Sequence, residues 1–465
     1  MCGEYSINIL AMGNTVKRLG LGALVFRRNG SFAARILCLI FGVGLTIFFR
    51  RIELFNHESI PENDALIFVS NHPNALIDPA LLFVALPKKI AFLAKSTLFK
   101  MPIIGSLIKA VGALPLYRQQ DAGEDVSKNH ETFRLTRELL KSGGAISLFP
   151  EGVSHNSTKL LPLKTGAARI ALGAVSTGKH PESLRLSIVP VGLYYTSKTT
   201  FRSDALLHFG RSFPVTPVVL DEHGHPPREA VRELNELIAS SLRSVTLNAE
   251  SDAELKVARI AEEVFTGTTP HEESLAERLD FLQRFVGDES IENDGKLEKR
   301  LEEYERKLDS LGIDSEFLDL ASYSKRFVLK HALLRSWHLI LLSPLVIVGI
   351  ALHFIPYQLS RMIAATQTRK GDHDMTSTMK FISAMVLMPL TWLGIAVAVE
   401  IPFGWKIALA SVPVSFLAGW VALRALEEID ELRRWLRAII AFFAKRETFL
   451  RLLAERRHLF EKVKR

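Results

Sequence analysis

One short segment of the chain places an imidazole and a carboxylate close together. His72 and Asp78 lie in the segment SNHPNALIDP (70–79), directly after the apolar run Ala65–Val69. A strand that ends in a polar turn would expose His72, and Asp78 would fix the ring tautomer by accepting a hydrogen bond from one nitrogen. The spacing therefore suits a general base and its orienting acid. A second interpretation, compatible with the first, makes Asp78 a helix cap, because Pro79 is favoured at a first helical position.

Three further strand-like runs end in chemically useful residues. They close on Arg118, on Glu151 with Gly152, and on a Pro-Val-Gly segment. With the first segment they form the ordered series Asn-His…Asp, Gly…Arg, Phe-Pro-Glu-Gly and Val-Pro-Val-Gly. In this order the chain resembles the glycerolipid acyltransferase superfamily. The resemblance covers roughly residues 60–215.

The chain departs from the usual family pattern at two places. Five residues separate His72 from Asp78, whereas the family commonly has four. After Phe-Pro-Glu-Gly the family often has Thr-Arg-Ser, and this chain has Val-Ser-His at 153–155. The longer spacing resembles the branch that acylates glycerol 3-phosphate and dihydroxyacetone phosphate.

The resemblance implies a role for each motif residue in transferring an acyl group from a thioester to an alcohol. His72 would be the base that takes the hydroxyl proton, and Asp78 would hold its ring. No Gly-x-Ser-x-Gly segment appears in the motif region, which favours direct attack by the substrate hydroxyl. The expected substrate-binding residues are Asn71, Arg118, Glu151, Gly152 and Lys164.

These binding residues have simpler interpretations as well. Arg118 would grip a phosphate through its planar fork, or it is a surface charge at a strand end. Glu151 would accept a hydrogen bond from a glycerol hydroxyl while Gly152 lets backbone approach closely, or the pair is a strand-end turn. Lys164 precedes a helix whose free amides could assist phosphate binding, or it is a solvated charge.

The composition indicates a membrane-associated protein. Hydrophobic residues make up 48% of the 465 residues, and the net charge is +8. Because no nucleic-acid motif accompanies that charge, an anionic membrane surface and anionic substrates explain it more simply. The two cysteines, Cys2 and Cys38, imply no disulfide framework and fit a reducing compartment. Neither a metal site nor a cofactor is expected beyond an acyl-CoA or acyl carrier protein co-substrate.

The pattern along the chain predicts five regions. Membrane-associated helices occupy 1–55, an α/β acyltransferase domain 56–247, a charged helical region 248–330, transmembrane helices 331–430, and a basic amphipathic tail 431–465. Alternating strand-like and helix-like runs support the α/β class in the second region. The charged region is expected to be a helical insertion packed on the catalytic domain, and the tail to lie on the membrane surface.

The apolar runs give a topology prediction. Phe381–Val399 and Ile407–Leu423 approach spanning length, and their basic outer flanks predict a hairpin with both ends on the cytosolic side. Leu339–Ile355 is interrupted by a proline and flanked by basic residues on both sides, so both a re-entrant and a spanning segment stay open, and the re-entrant one is preferred. Near the N-terminus, the short runs Leu19–Phe26 and Ile36–Phe49 predict a membrane-embedded hairpin.

These inferences favour an integral membrane enzyme with its catalytic domain on the cytosolic side. The expected acceptor is glycerol 3-phosphate and possibly dihydroxyacetone phosphate, in the synthesis of phosphatidic acid. Two alternatives stay open: acylation of 1-acylglycerol 3-phosphate by the same residues, and a catalytically inactive membrane scaffold.

Overall fold

The architecture comes from a computed structural model. It describes residues 16–19, 32–86, 90–118, 124–177, 184–267, 273–288, 295–318, 325–369 and 375–463. The first arm of the predicted N-terminal hairpin, at 19–26, lies outside the described residues apart from Leu19.

The described residues divide into two compact units. Unit 1 comprises Met1–Asn248, Ser274–Leu279 and His373–Thr378, and unit 2 comprises Ala249–Glu273, Asp280–Asp372 and Met379–Arg465.

Unit 1 is built around a mixed sheet, which confirms the predicted α/β class. Within the described ranges its strands are β1 (Val16–Arg18), β2 (Arg51–Phe55), β3 (Ala65–Ser70), β4 (Ile90–Lys95), β5 (Leu114–Leu116), β6 (Ala145–Leu148), β7 (Leu186–Tyr195), β8 (Asp204–Phe209) and β9 (Phe213–Pro214). Their order is β1-β2-β8-β7-β3-β6-β4-β5, and β9 pairs with β7. The strands from β7 to β5 in this order are all parallel, whereas β7–β8, β7–β9 and β1–β2 are antiparallel.

Helices cover the sheet because the parallel strands need crossover connections. In unit 1 they are α1 (Phe32–Phe48), α2 (Ile77–Ala85), α3 (Pro102–Ala110), α4 (Asn129–Lys141), α5 (Gly166–Ser176) and α6 (Arg228–Arg243). Apolar residues of α4, α5 and α6 form one core with β3, β6 and β7, including Leu140, Ala171, Ile238, Ile67 and Ile188. On α1, Phe41 packs edge-on against Phe83 of α2 at 6.4 Å between ring centroids.

Apolar and polar residues do not alternate along β3 and β7, because both strands are buried on their two faces. Near the end of β7, Gly192 allows another backbone to approach closely. A Cβ at this position would lie 1.8 Å from the Val245 carbonyl oxygen, so the glycine of the fourth motif is a packing requirement.

The helices that follow are α7 (Asp252–Thr266), α8 (Leu275–Val286), α9 (Gly295–Leu311), α10 (Lys325–Arg369), α11 (Thr376–Phe403), α12 (Trp405–Ala444) and α13 (Arg446–Val463). Three of them contain segments long and apolar enough to cross a membrane by length and composition: Ser336–Thr366, Thr376–Phe403 and Trp405–Ala444. Membrane association follows from these segments. The run for which re-entry was preferred lies inside the uninterrupted helix α10, which continues past Pro344, so the chain does not turn back within this run as a re-entrant segment would.

The basic tail differs from its prediction as a helix on a membrane surface. In α13 the apolar side chains Phe449, Leu452 and Leu459 are buried. This helix packs against α7 and α9, and Phe460 stacks on Phe265 at 5.8 Å between ring centroids. The apolar face is therefore covered by protein, because the charged region 248–330 supplies complementary apolar faces on α7 and α9.

Candidate active site

The predicted site residues gather at the carboxyl ends of neighbouring parallel strands. His72 follows β3, Glu151 follows β6, and β3 and β6 pair in register with Val69 opposite Leu148. Arg118 follows the edge strand β5. Carboxyl ends of parallel strands are where open α/β sheets bind ligands, so the fold brings together residues far apart in sequence.

His72 and Asp78 form a hydrogen-bonded pair. The His72 Nδ1 atom lies 2.8 Å from Asp78 Oδ2, and the Asp78 side chain is fully buried. Within the described part of the chain no hydrogen bond reaches His72 Nε2. The ring stacks on Phe149, with 4.0 Å between centroids, so its plane is fixed by packing as well as by the carboxylate. This is the geometry of a base with its orienting acid.

The helix-cap interpretation of Asp78 is wrong. Helix α2 begins at Ile77, its N-cap is Leu76, and no side chain caps it. Asp78 Oδ2 instead accepts a hydrogen bond from the Asn74 amide at 2.7 Å, across the loop.

The long spacing between His72 and Asp78 is accommodated by a left-handed turn. Ala75 has a φ of 38°, and the Ile77 amide donates to the Asn74 carbonyl at 3.0 Å. A left-handed residue other than glycine costs roughly 1–2 kcal/mol, so other contacts must hold this loop. One of them is the Leu76 amide, which donates to Thr378 Oγ1 at 3.2 Å.

Asp78 has a further donor that sequence reasoning missed. The Tyr195 hydroxyl lies 2.6 Å from Asp78 Oδ1. Burial and the neighbouring Asp78 charge raise the pKa of the Tyr195 phenol well above its usual 10, so the phenol stays a donor. The only available signal was the position of this tyrosine at the end of the fourth motif strand.

Glu151 organises the backbone of the site. Its Oε1 accepts from the His72 amide at 2.9 Å, and its Oε2 accepts from the Leu161 amide at 2.8 Å. Its Oε2 is also in a short contact with His155 Nε2. Because the Ser157 amide donates to His155 Nδ1 at 3.1 Å, the proton of a neutral His155 ring lies on Nε2, which donates to Glu151. The predicted contact between Glu151 and a substrate hydroxyl stays a prediction.

Asn71 is held in a similar way. Its side-chain Nδ2 donates to the Leu193 carbonyl at 3.0 Å, and its Oδ1 accepts from the Leu193 amide at 2.7 Å. This pair ties the end of β3 to β7. Substrate binding by Asn71 also stays a prediction.

Two cationic side chains approach Gly152. Arg118 Nη1 donates to the Gly152 carbonyl at 2.6 Å. Gly152 has a φ of +75°, and a Cβ there would lie 2.7 Å from Lys164 Nζ. The positive φ favours glycine at this position, whereas the flexible lysine end could shift to admit a Cβ. Arg118 and Lys164 therefore lie beside the same loop, where two positive charges would favour an anion.

Within the described residues, no group of three or more His, Cys, Asp or Glu side chains could hold a metal ion. The site consists of an oriented imidazole, two buried carboxylates and two cations at one edge of the sheet.

Comparison with known proteins adds independent findings. A family model described as Acyltransferase matches residues 51–194. Glycerol-3-phosphate O-acyltransferase 2 of Saccharomyces cerevisiae is 30% identical over 282 residues, covering 57% of this chain and 37% of the yeast protein. The chloroplastic 1-acyl-sn-glycerol-3-phosphate acyltransferase LPAT1 of Arabidopsis thaliana is 31% identical over 151 residues, covering 32% of this chain and 38% of that protein.

Among solved structures, the 1-acyl-sn-glycerophosphate (LPA) acyltransferase PlsC from Thermotoga maritima is 21% identical, with a TM-score of 0.32. That match covers 46% of this chain and 79% of PlsC. The chain spans little more than a third of the length of the yeast relative that it matches.

Proposed function

We propose that the protein acylates glycerol 3-phosphate, starting from the match of residues 51–194 to the Acyltransferase family model and from the ordered motifs in the same region. The acyl donor is a fatty acyl thioester, either acyl-CoA or acyl carrier protein. The observation that carries the proposal is the His72–Asp78 pair, in which the carboxylate engages Nδ1 and leaves Nε2 as the ring nitrogen for the base.

The reaction follows from this arrangement. His72 Nε2 takes the proton from a glycerol hydroxyl as the hydroxyl oxygen attacks the thioester carbonyl carbon. The resulting tetrahedral intermediate collapses when the C–S bond breaks, and the leaving thiolate takes the proton back from His72. The products are an ester and a free thiol. Asp78 holds the ring and stabilises the transient imidazolium.

The phosphate of the acceptor is assigned to Arg118 and Lys164. A guanidinium binds phosphate oxygens in a bidentate fork, and the adjacent ammonium adds a point charge. Both cations lie beside Gly152, the residue directly after Glu151. Glu151 accepts a hydrogen bond from the His72 backbone amide, so the proposed phosphate site and the base are connected through Glu151.

Two observations favour glycerol 3-phosphate over 1-acylglycerol 3-phosphate as acceptor. The match to the yeast glycerol-3-phosphate enzyme extends over 282 residues, whereas the match to the Arabidopsis enzyme extends over 151. The five-residue His-to-Asp spacing resembles the glycerol 3-phosphate branch. Dihydroxyacetone phosphate is a second acceptor with the same phosphate and a free hydroxyl.

A substrate panel tests the proposal. Purified protein in detergent is given glycerol 3-phosphate, dihydroxyacetone phosphate or 1-acylglycerol 3-phosphate, each with acyl-CoA or acyl carrier protein, and the ester products are measured by mass spectrometry. We expect the highest kcat/KM with glycerol 3-phosphate. Preference for the lysophospholipid would favour the alternative acceptor, and no transfer with any pair would favour an inactive scaffold.

We also propose that the site faces the cytosol, where soluble acyl thioesters and glycerol 3-phosphate are found. The basic pair Arg50-Arg51 flanks the site domain, consistent with positive residues on that side. Thr378, near the start of α11, contacts the Leu76 amide. The start of this apolar helix is therefore assigned to the same side as His72.

A further inference from the structure

Within the described residues, the Asp78 carboxylate accepts hydrogen bonds from three donors. Oδ2 accepts from His72 Nδ1 at 2.8 Å and from the Asn74 amide at 2.7 Å, and Oδ1 accepts from the Tyr195 hydroxyl at 2.6 Å. A buried carboxylate needs such donors to stay charged, and a hydrogen bond to an ionised group is stronger than a neutral one. Tyr195 is the only one of the three donors that comes from a distant part of the chain, 117 residues after Asp78.

Tyr195 is itself held firmly. It is the last residue of β7, where its backbone pairs with Ala205 of β8. Its ring stacks on Phe49, with 5.7 Å between centroids and 25° between planes. Because the ring is buried and the strand is paired, the hydroxyl has little freedom to leave Asp78.

We propose that Tyr195 is a positioning residue that fixes the Asp78 carboxylate and spreads its negative charge, and thereby sets the orientation and basicity of His72. This inference rests on the proposed function, since it assigns a role within the same site. The Tyr195 hydroxyl donates to Asp78, and within the described part of the chain it makes no hydrogen bond to His72. Its effect reaches the reaction through Asp78.

The sign of the effect on His72 follows from the charge. When Tyr195 donates to Oδ1, part of the Asp78 charge is neutralised, and the imidazolium form of His72 is stabilised less. Removal of the hydroxyl leaves a more basic carboxylate, which interacts more strongly with the imidazolium form of the ring than with the neutral form. The carboxylate also loses one of the contacts that hold it against the ring.

Among the described residues, the other ionisable groups around His72 make no hydrogen bond to the Asp78 carboxylate. Glu151 accepts from the His72 backbone amide, and His155 donates to Glu151. Arg118 donates to the Gly152 carbonyl, and Lys164 lies beside the same glycine. Replacing Tyr195 therefore changes the hydrogen bonds of Asp78 and leaves the contacts of Glu151, Arg118 and Lys164 unchanged.

The test compares Tyr195→Phe with Tyr194→Phe. Tyr194 is also buried, but alternation along β7 directs it to the opposite face of the sheet, so it controls for loss of a tyrosine hydroxyl from this strand. With Tyr195→Phe we expect kcat to fall on the order of tenfold with a much smaller change in KM for glycerol 3-phosphate. The acid limb of the pH profile of kcat/KM should move to higher pH. Tyr194→Phe should change neither.

A second measurement does not need acyl transfer. Diethylpyrocarbonate modifies unprotonated imidazoles. The chain has 14 histidines, and mass spectrometry of the peptide that contains His72 measures the modification of this histidine separately from the others. The midpoint of the modification rate against pH should rise in Tyr195→Phe and stay at the wild-type value in Tyr194→Phe. A loss of kcat with an unchanged midpoint would reduce Tyr195 to a packing role and overturn the proposal, as would wild-type behaviour in both assays. A raised midpoint in a protein that acylates no acceptor would support the positioning role while refuting the proposed function.

Discussion

Two buried carboxylates hold the site in different ways. Asp78 accepts from side chains that come from two motifs, His72 and Tyr195, so it fixes the imidazole that performs the chemistry. Glu151 accepts from backbone amides of His72 and Leu161, so it fixes the loops on either side. A fixed ring and fixed loops are both needed for a preorganised base, because an imidazole that can rotate or shift spends less time in the reactive geometry.

Removal of the base gives the first prediction at this scale. His72→Ala should lose at least about 100-fold in kcat while it remains folded and membrane-bound, because a positioned base acts mainly in the transition state. Asp78→Asn should lose most of the activity too, since an amide cannot favour the same tautomer. Initial rates of ester formation measure both. The control is His223→Ala, in an exposed loop, and a fully active His72→Ala protein would refute the mechanism.

The phosphate assignment is tested by a substitution that keeps the charge. Arg118→Lys should raise KM for glycerol 3-phosphate more than KM for the acyl donor, because a point charge cannot replace a bidentate fork. Steady-state kinetics with each substrate varied in turn measure the two constants. Arg134→Lys is the matched control, since Arg134 lies on the exposed face of α4 and pairs with Glu131 and Glu138. Equal increases in both constants would assign Arg118 a structural role.

At the scale of elements, the strand ends could be predicted from the sequence and the contacts between them could not. The runs ending before His72, Arg118 and Glu151 are β3, β5 and β6, because short apolar runs bounded by polar or glycine residues are typical of buried parallel strands. The contacts of Tyr195 and Thr378 with the site loop depend on tertiary packing. Sequence spacing carries no information about pairs that are 117 and 302 residues apart.

The contact between Thr378 and the site loop gives a prediction for α11. Thr378→Val keeps the shape of the side chain and removes the acceptor for the partly buried Leu76 amide, which costs less than the about 1–3 kcal/mol of a fully buried unsatisfied amide. Because the loop also contains the left-handed Ala75, we expect faster hydrogen exchange at 74–77 and a lower kcat.

The control for this substitution lies on the same helix. Thr391 Oγ1 donates to the Leu387 carbonyl of its own helix at 2.8 Å, so Thr391→Val removes a comparable hydroxyl without touching the site loop. Hydrogen exchange measured by mass spectrometry distinguishes the two variants. If both leave exchange at 74–77 unchanged, the Thr378 contact does not hold the loop.

At the scale of the whole molecule, length and composition predicted the helices that are long and apolar enough to span a membrane, but not how the charged regions pack. The apolar segments of α11 and α12 contain the predicted runs, because about 20 apolar residues leave few alternatives to a membrane helix. The tail differed because an amphipathic pattern does not distinguish a lipid surface from a protein partner. In unit 2, Arg434 of α12 is paired with Asp314 and Glu316 at 3.1 Å, so charges of the tail region also meet protein.

The last prediction concerns the sidedness of these helices. Single cysteines are introduced at Gln120, Gly371, Gly404 and Lys462 after Cys2 and Cys38 are replaced by serine, and intact vesicles are labelled from one face. If α11 and α12 cross as a hairpin and the run Leu339–Ile355 does not cross, Gly404 should label from the far side. The other three positions should label from the cytosolic side. Gly404 lies between the end of α11 and the start of α12, and its φ of 78° is consistent with a break between the two helices.

The opposite pattern has a definite meaning. If Gly371 and Lys462 label from the far side and Gly404 from the cytosol, Leu339–Ile355 crosses the membrane fully. The apolar segment Ser336–Thr366 of α10 is long enough for such a crossing. The contact of Thr378 with Leu76 argues against it, because Gly371 precedes Thr378 by only seven residues and Leu76 lies in the site loop with His72. Labelling of Gln120 from the cytosolic side is required in either case, and its failure would refute the cytosolic placement of the site.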